Sequence, residues 1–387
     1  METTQRRWIG RNEALDRLGV KTQTLYAYVS RGRITARPDP DNPRRSLYAA
    51  DDVARLRDGA PNPPAPAVIG AAGVRGEATI QSSVTAIIDG RLFYRGRDAI
   101  QLARTATLEE AARVLWGVRE GNPFAGLKPR IDVAYAGSSR SRLLQFIARR
   151  ADEDPPASDR SSHDLTRECA CVLSEMVDAI VGMGPRLHLH QRLARAWKIS
   201  ERDAGILRRA LVLSADHELN GAVLATRAVA GTGASPAASA MAGLAALTGP
   251  DVSRQLTAAA ELVLEARREP AEVVRRRMDR DGELPGFGHA LYPDGDPRAA
   301  DLLAAADLPR DLALLVEAGE RATGLKPSFD LALALIVRRF NLPRDGAFDL
   351  FAIGRTAGLL AHALDQLLEG SPIRARLRYV GAEPGAN

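Results

Sequence analysis

The chain has 387 residues, 45% apolar and 26% charged, an ordinary globular composition with enough length for one large domain and a small one. No run of 18 or more apolar residues occurs and the opening "METTQRRWIG" has no apolar core, so a membrane span and export are not expected and a cytoplasmic setting is. The net charge of +5 is uneven: residues 1–57 hold 12 Lys+Arg against 7 Asp+Glu, and the rest hold 41 of each.

The first element signals lie in "NEALDRLGVKTQTLYAYVSRGRI", which reads as helix, tight turn, helix. Ala14, Leu15 and Leu18 form one apolar face, Gly19 is placed to end the first helix, and Thr22 is placed to cap a second that buries Leu25 and Val29. "RGRITARPDPDNPRRSLYAADDVARL" then predicts a hairpin-like wing carrying Arg44 and Arg45 and a short helix capped at Asp51. Residues 1–57 resemble the winged helix-turn-helix modules of MerR-like and excisionase-like proteins. The resemblance implies a double-stranded DNA partner, with Lys21, Gln23, Thr24 and Tyr28 facing a major groove and Arg44 and Arg45 on phosphates. A small helical domain that mediates assembly through a solvated basic face is the alternative.

"DGAPNPPAPAV", residues 58–68, has four prolines in eleven residues and reads as an extended linker. Residues 69–387 are almost wholly helical in pattern, with apolar residues at three- and four-residue spacing. The exception is "SSVTAIIDGRLFYRG", whose alternation predicts a hairpin turning at Asp89-Gly90. Cys169 and Cys171 stand one residue apart and would point apart in a helix or a strand, so they read as packing residues.

Four places carry candidate chemistry. "SADHELNG" offers His217 within a helical run, and "GFGHALYPDGDPRA" offers His289 and Arg298. "GLKPSFDLALALI" puts Asp330 at the mouth of an apolar helix, and "FAIGRTAGLLAHAL" puts Arg355 at the start of another. Taken singly, each reads as a cap or an ion pair. In this order and spacing, with "RYVG" near the end, they resemble the citrate synthase family from about Ser82 to Gly381.

That resemblance implies a mainly α, two-lobed all-helical domain, with a small lobe at roughly 205–310 and an obligate homodimer. It implies oxaloacetate and acetyl-CoA as substrates, acetyl-CoA being a co-substrate, with no permanently bound cofactor, no metal and no membrane. His217 looks like the imidazole that binds the keto acid, His289 like the one that polarises its carbonyl, and Asp330 like the base toward the acetyl methyl group. Arg298 and Arg355 look like carboxylate clamps, for which a planar fork suits a bidentate grip. Arg374 stands where the family reaches into its neighbour's site; because Ala375 replaces the usual proline, Arg376 is an alternative for that role.

Two departures bear on the thioester half. The family has a histidine in a "GPLHGG"-like loop that donates to the developing enolate oxygen. Here Gly249 and Pro250 are followed by Asp251 and Val252, and no histidine lies between His217 and His289. Loss of one such donor costs about 10²–10³ in rate, and Ser253 or a water is the available substitute. Four residues beyond His289 the family offers Lys or Arg to the CoA phosphates, where this chain has Pro293 and then Asp294. Three readings follow: a condensing enzyme with a DNA-binding appendage, a regulator that senses oxaloacetate or citrate, and an assembly partner for a related subunit.

Overall fold

The computed structural model describes residues 8–20, 22, 25, 28, 29, 34, 36–39, 45–57, 80–128, 135–158, 160–185, 187–369 and 373. It comprises two compact units, 1–69 and 70–387. The predicted linker 58–68 lies outside the described residues.

In the first unit, strand β1 (Trp8–Ile9) leads into a helix at Arg11–Leu18. Gly19 ends that helix in the left-handed region, φ 65°, with its N–H on the Leu15 carbonyl. Thr22, Leu25, Tyr28 and Val29 are helical, and the start of that second helix lies outside the described residues. Strands β2 (Ala36–Pro38) and β3 (Ser46–Ala49) pair antiparallel, and β1 adds to β3 to give the order β1-β3-β2. The last helix runs Ala50–Arg57, so Asp51 sits in its first turn and is not its cap. Ile9, Ala14, Leu25, Ile34, Tyr48, Ala50 and Val53 form a separate core. Tyr28 packs half-buried at its edge, and Arg45 is exposed at the hairpin. Lys21, Gln23, Thr24 and Arg44 lie outside the described residues.

The second unit opens with β4 (Thr85–Ile88), β5 (Arg91–Tyr94) and β6 (Arg97–Asp98), an antiparallel meander. Its first turn is at Asp89-Gly90, with φ 49° and 70°, the paired positive values that a two-residue hairpin turn requires. Everything after it is helix and loop among the described residues. Ser138, Ser161, Ser200, Ser235 and Ser328 each precede a helix and accept a backbone N–H, which satisfies a donor the helix leaves open.

Two cores organise this unit. The larger gathers the Ser162–Val181, Glu201–Ser214, Gly221–Ala230 and Pro236–Leu247 helices around the C-terminal Gly346–Glu369 helix. The smaller runs from Ala259 to Leu335. Of the residues expected in a small lobe at 205–310, apolar side chains from Ile206 to Leu256 and from Ala299 to Ala306 pack in the larger core. The cause is close helix contact. At Gly354 an added Cβ would lie 2.5 Å from the Leu211 carbonyl, and at Gly358 2.2 Å from that of Ala215, so only glycine lets the C-terminal helix lie against Glu201–Ser214. That helix is long and apolar enough to cross a membrane, but 89% of its apolar window is buried in the protein. Cys169 and Cys171 are free, with Cys169 buried in the larger core.

Candidate active site

The site begins where two loops lie against each other. Gly286 and Gly288 adopt φ of +86° and +79°, and a Cβ there would meet Leu331 at 2.8 Å and Leu325 at 2.9 Å. Glycine at both positions lets the "GFGH" segment run flat along "LKPS". The Gly288 N–H donates to the Lys326 carbonyl and the Ser328 N–H to that of Gly286, both at 2.8 Å. Ser328 then caps the Phe329–Arg339 helix, whose second residue is Asp330. His289 and Asp330, distant in sequence, thus come to line one cavity of about 600 Å³. Arg254, Gln255 and Ala258 of the Pro250–Glu265 helix line it too.

Past Gly288 the chain turns back on itself. His289 Nδ1 accepts the Leu291 N–H at 3.2 Å, which leaves the proton of a neutral ring on Nε2, ready to donate. The His289 ring meets the His217 ring edge-on, centroids 5.2 Å apart. Tyr292, 1% exposed, packs beside both, and its hydroxyl lies 3.0 Å from His217 Nε2. Nothing singled out Tyr292 in the sequence, although it sits in the same short stretch as His289 and Arg298.

His217 lies in the loop after the Glu201–Ser214 helix, not within a helical run. The preceding helix ends at Ser214, Glu218 takes a left-handed φ of 56°, and Asn220 caps the next helix, accepting the N–H groups of Ala222 and Val223. Behind the loop is a buried polar chain. Asp216 accepts from Thr85, and His362 Nε2 lies 3.0 Å from it. Arg227 approaches His362 Nδ1 at 3.5 Å and pairs with Asp365 at 3.0 Å. Burial alone would raise the Asp216 carboxyl, but His362, Arg355 and Thr85 hold it below the ordinary range.

The two arginines expected as clamps differ in their surroundings. Arg298, 4% exposed, already grips Asp296 with both Nε (3.0 Å) and Nη2 (2.7 Å) and stacks over Phe329 at 4.8 Å. Its bidentate face is therefore taken, and Nη1 makes no hydrogen bond among the described residues. Arg355 is tenth in the Gly346–Glu369 helix and not at a helix start, because the apolar run begins before it. Its Nε donates to the Ser214 carbonyl at 3.0 Å, while both terminal amino groups make no hydrogen bond among the described residues. Arg355 is the open planar fork.

Electrostatically these groups act on one another. Burial and then Arg298 push both histidines below their ordinary range, with Arg355 adding to the effect on His217, so the rings are neutral at pH 7. Burial pushes Asp330 above the ordinary carboxylate range against the pull of Arg298 and Arg355, as suits a proton acceptor. The arrangement can hold a dicarboxylate near two buried guanidinium groups, donate to its carbonyl from a neutral imidazole, and accept a proton nearby.

Ser253, expected as a substitute donor, is committed elsewhere: its Oγ donates to the Gly249 carbonyl at 3.0 Å. Pro293 and Asp294 are exposed. Arg374 and Arg376 lie outside the described residues.

A family model described as citrate synthase, C-terminal domain, matches residues 138–376. Citrate synthase 2 of Bacillus subtilis is 24% identical over 371 residues, covering 80% of this chain and 96% of the relative. The citrate synthase of Haloferax volcanii is 30% identical over 190 residues, covering 44% of this chain and 49% of its own length. A solved ternary complex of carboxymethyl coenzyme A and oxaloacetate with citrate synthase from Thermoplasma acidophilum matches with a TM-score of 0.63 at 20% identity, covering 79% of this chain and 94% of that one. At that identity the likeness concerns the fold.

Proposed function

This chain belongs to the citrate synthase family, and on that premise we propose that it condenses acetyl-CoA with oxaloacetate to give citrate and free CoA. The observation that carries the reading is the junction of two half-sites: His289 faces His217 on one side and shares a cavity with Asp330 on the other. One half suits a keto dicarboxylate and the other a thioester. Arg355 would take a carboxylate with both terminal amino groups, and Arg298 would add one donor and its charge. The Nε2–H of His289 would donate to the keto oxygen, and Asp330 would take a proton from the acetyl methyl group. Acetyl-CoA is a co-substrate here, and no resident cofactor is called for. Arg254 gives the cavity a cation that Pro293 and Asp294 do not supply.

We propose a homodimer, with Arg374 entering the partner's site. For the first unit the hairpin of β2 and β3 beside two helical segments supports the winged-helix reading and a duplex DNA partner. Retention of duplex DNA that weakens steeply between 50 and 200 mM salt is the expected behaviour; retention indifferent to salt would refute it. The comparisons lend a purely regulatory role no support.

Calorimetric titration of oxaloacetate into the wild type and into Arg355→Lys tests the keto-acid half. Replacing an open fork by a point charge should weaken binding by about tenfold or more, on the 1.5–3 kcal/mol typical of a charged hydrogen bond. Equal affinities would sink the assignment of Arg355.

A further inference from the structure

Removing a thioester methyl proton requires a donor at the oxygen where the charge collects, and this chain lacks the residue expected there. Position 252 is valine and no histidine lies between His217 and His289. Most other donors on the cavity wall are committed. The Gly288 and Ser328 N–H groups bond the facing loop, and the Thr323 hydroxyl donates to the Gly319 carbonyl. Ser328 accepts the Leu331 N–H as a helix cap, which leaves its O–H uncommitted, but it is only 5% exposed and stands on the Asp330 helix, not on the helix that carries position 252.

Gln255 is different. It stands three residues after Val252 in the Pro250–Glu265 helix, so the two positions share a helix face. It is exposed and lines the same cavity as His289 and Asp330. Its carboxamide makes no hydrogen bond among the described residues, and a carboxamide N–H is a neutral donor of the kind that serves oxyanion holes. Its neighbour Arg254 also lines the cavity but is already engaged.

We infer that Gln255 is the catalytic hydrogen-bond donor to the thioester oxygen, in place of the absent histidine; this rests on the condensation reading above. Asp330 takes one proton from the acetyl methyl group. The C–H electron pair becomes the enolate double bond, and the thioester carbonyl pair moves onto oxygen, where the Gln255 Nε2–H donates. The enolate carbon then attacks the keto carbon of oxaloacetate. The thioester carbonyl is restored, the keto oxygen takes the proton from His289 Nε2, and the proton that Asp330 took is released to solvent as the ring regains one. Water then cleaves the C–S bond of the citryl thioester, which releases CoA.

The test compares the full-length wild type with Gln255→Ala, Gln255→Glu and Gln255→His, by thiol release for kcat and KM and by calorimetry for oxaloacetate binding. Gln255→Ala and Gln255→Glu should lose about 10²–10³ in kcat, because neither side chain offers the N–H, while oxaloacetate binding stays within twofold of wild type. Gln255→His restores a neutral N–H donor on the same helix face and should keep turnover within about tenfold of wild type. Unchanged oxaloacetate binding also certifies that each variant is folded. An active wild type with Gln255→Ala within threefold of it overturns this inference and leaves the condensation reading standing. A wild type that binds oxaloacetate but releases no thiol overturns both.

Discussion

Asp349 is the sharpest test of the packing. It lies in the first turn of the Gly346–Glu369 helix, is 1% exposed, and neither carboxyl oxygen has a hydrogen-bond partner among the described residues. Burial drives its pKa up, Asp345 adds repulsion, and Ser139 and Arg142 pull the other way; the outcome is about 7 against an ordinary 3.8. Arg142 is held by the Ala179, Ile180 and Gly137 carbonyls, and Arg344 lines a second cavity together with Asp345 and Asp349. Because the folded-state value lies above the unfolded one, the folded protein binds the extra proton between about pH 4 and pH 7. Stability from this group therefore falls as pH rises through that window and is level above it. At 1.36 kcal/mol per pH unit the full loss is about 4 kcal/mol, and about 3 of it falls between pH 5 and pH 8. Asp349→Asn cannot ionise, so its advantage over wild type should be about 3 kcal/mol larger at pH 8 than at pH 5. Urea unfolding of both proteins at the two pH values measures that difference directly, and any constant effect of the new amide cancels. An advantage that is equal at both pH values, or larger at pH 5, would refute the reasoning.

Two further changes probe the frame of the site. Gly354→Ala forces a methyl group to within 2.5 Å of the Leu211 carbonyl and the Ser214 side chain. It should cost about 1–3 kcal/mol and weaken oxaloacetate binding as Arg355 loses its hold on Ser214; an unchanged melting temperature with unchanged binding would contradict the close contact. Asp296→Asn leaves Arg298 buried without its counter-charge, and removing one partner of a buried pair costs about 3–5 kcal/mol. A melting temperature equal to that of wild type would show that Arg298 is solvated, not buried.

Local chemistry made part of this legible in the sequence. Asp89-Gly90 can form only a tight turn between alternating strands, and Pro327 followed by Ser328 marks where the Asp330 helix begins. The motif order brought His217, His289, Arg298, Asp330 and Arg355 forward together. What the sequence hid depends on partners far along the chain. Asp296 looks like a cap, and only burial reveals that it also occupies the fork of Arg298. His362 sits in an apolar run and reads as core, yet it is the partner of Asp216, 146 residues earlier. Apolar spacing continues across "SADHELN" and predicts helix at His217; the left-handed Glu218 and the cap at Asn220 keep the loop out of helix without disturbing that spacing. Tyr292 had no signal beyond its neighbours.

The most direct test of the central claim is thiol release from acetyl-CoA by the purified full-length chain, with and without oxaloacetate, beside Asp330→Asn. The account predicts thiol released only when oxaloacetate is present, matched mole for mole by citrate, and lowered by about 10²–10⁴ in Asp330→Asn, the range of a positioned general base. Thiol release that ignores oxaloacetate, or that survives Asp330→Asn unchanged, would contradict it.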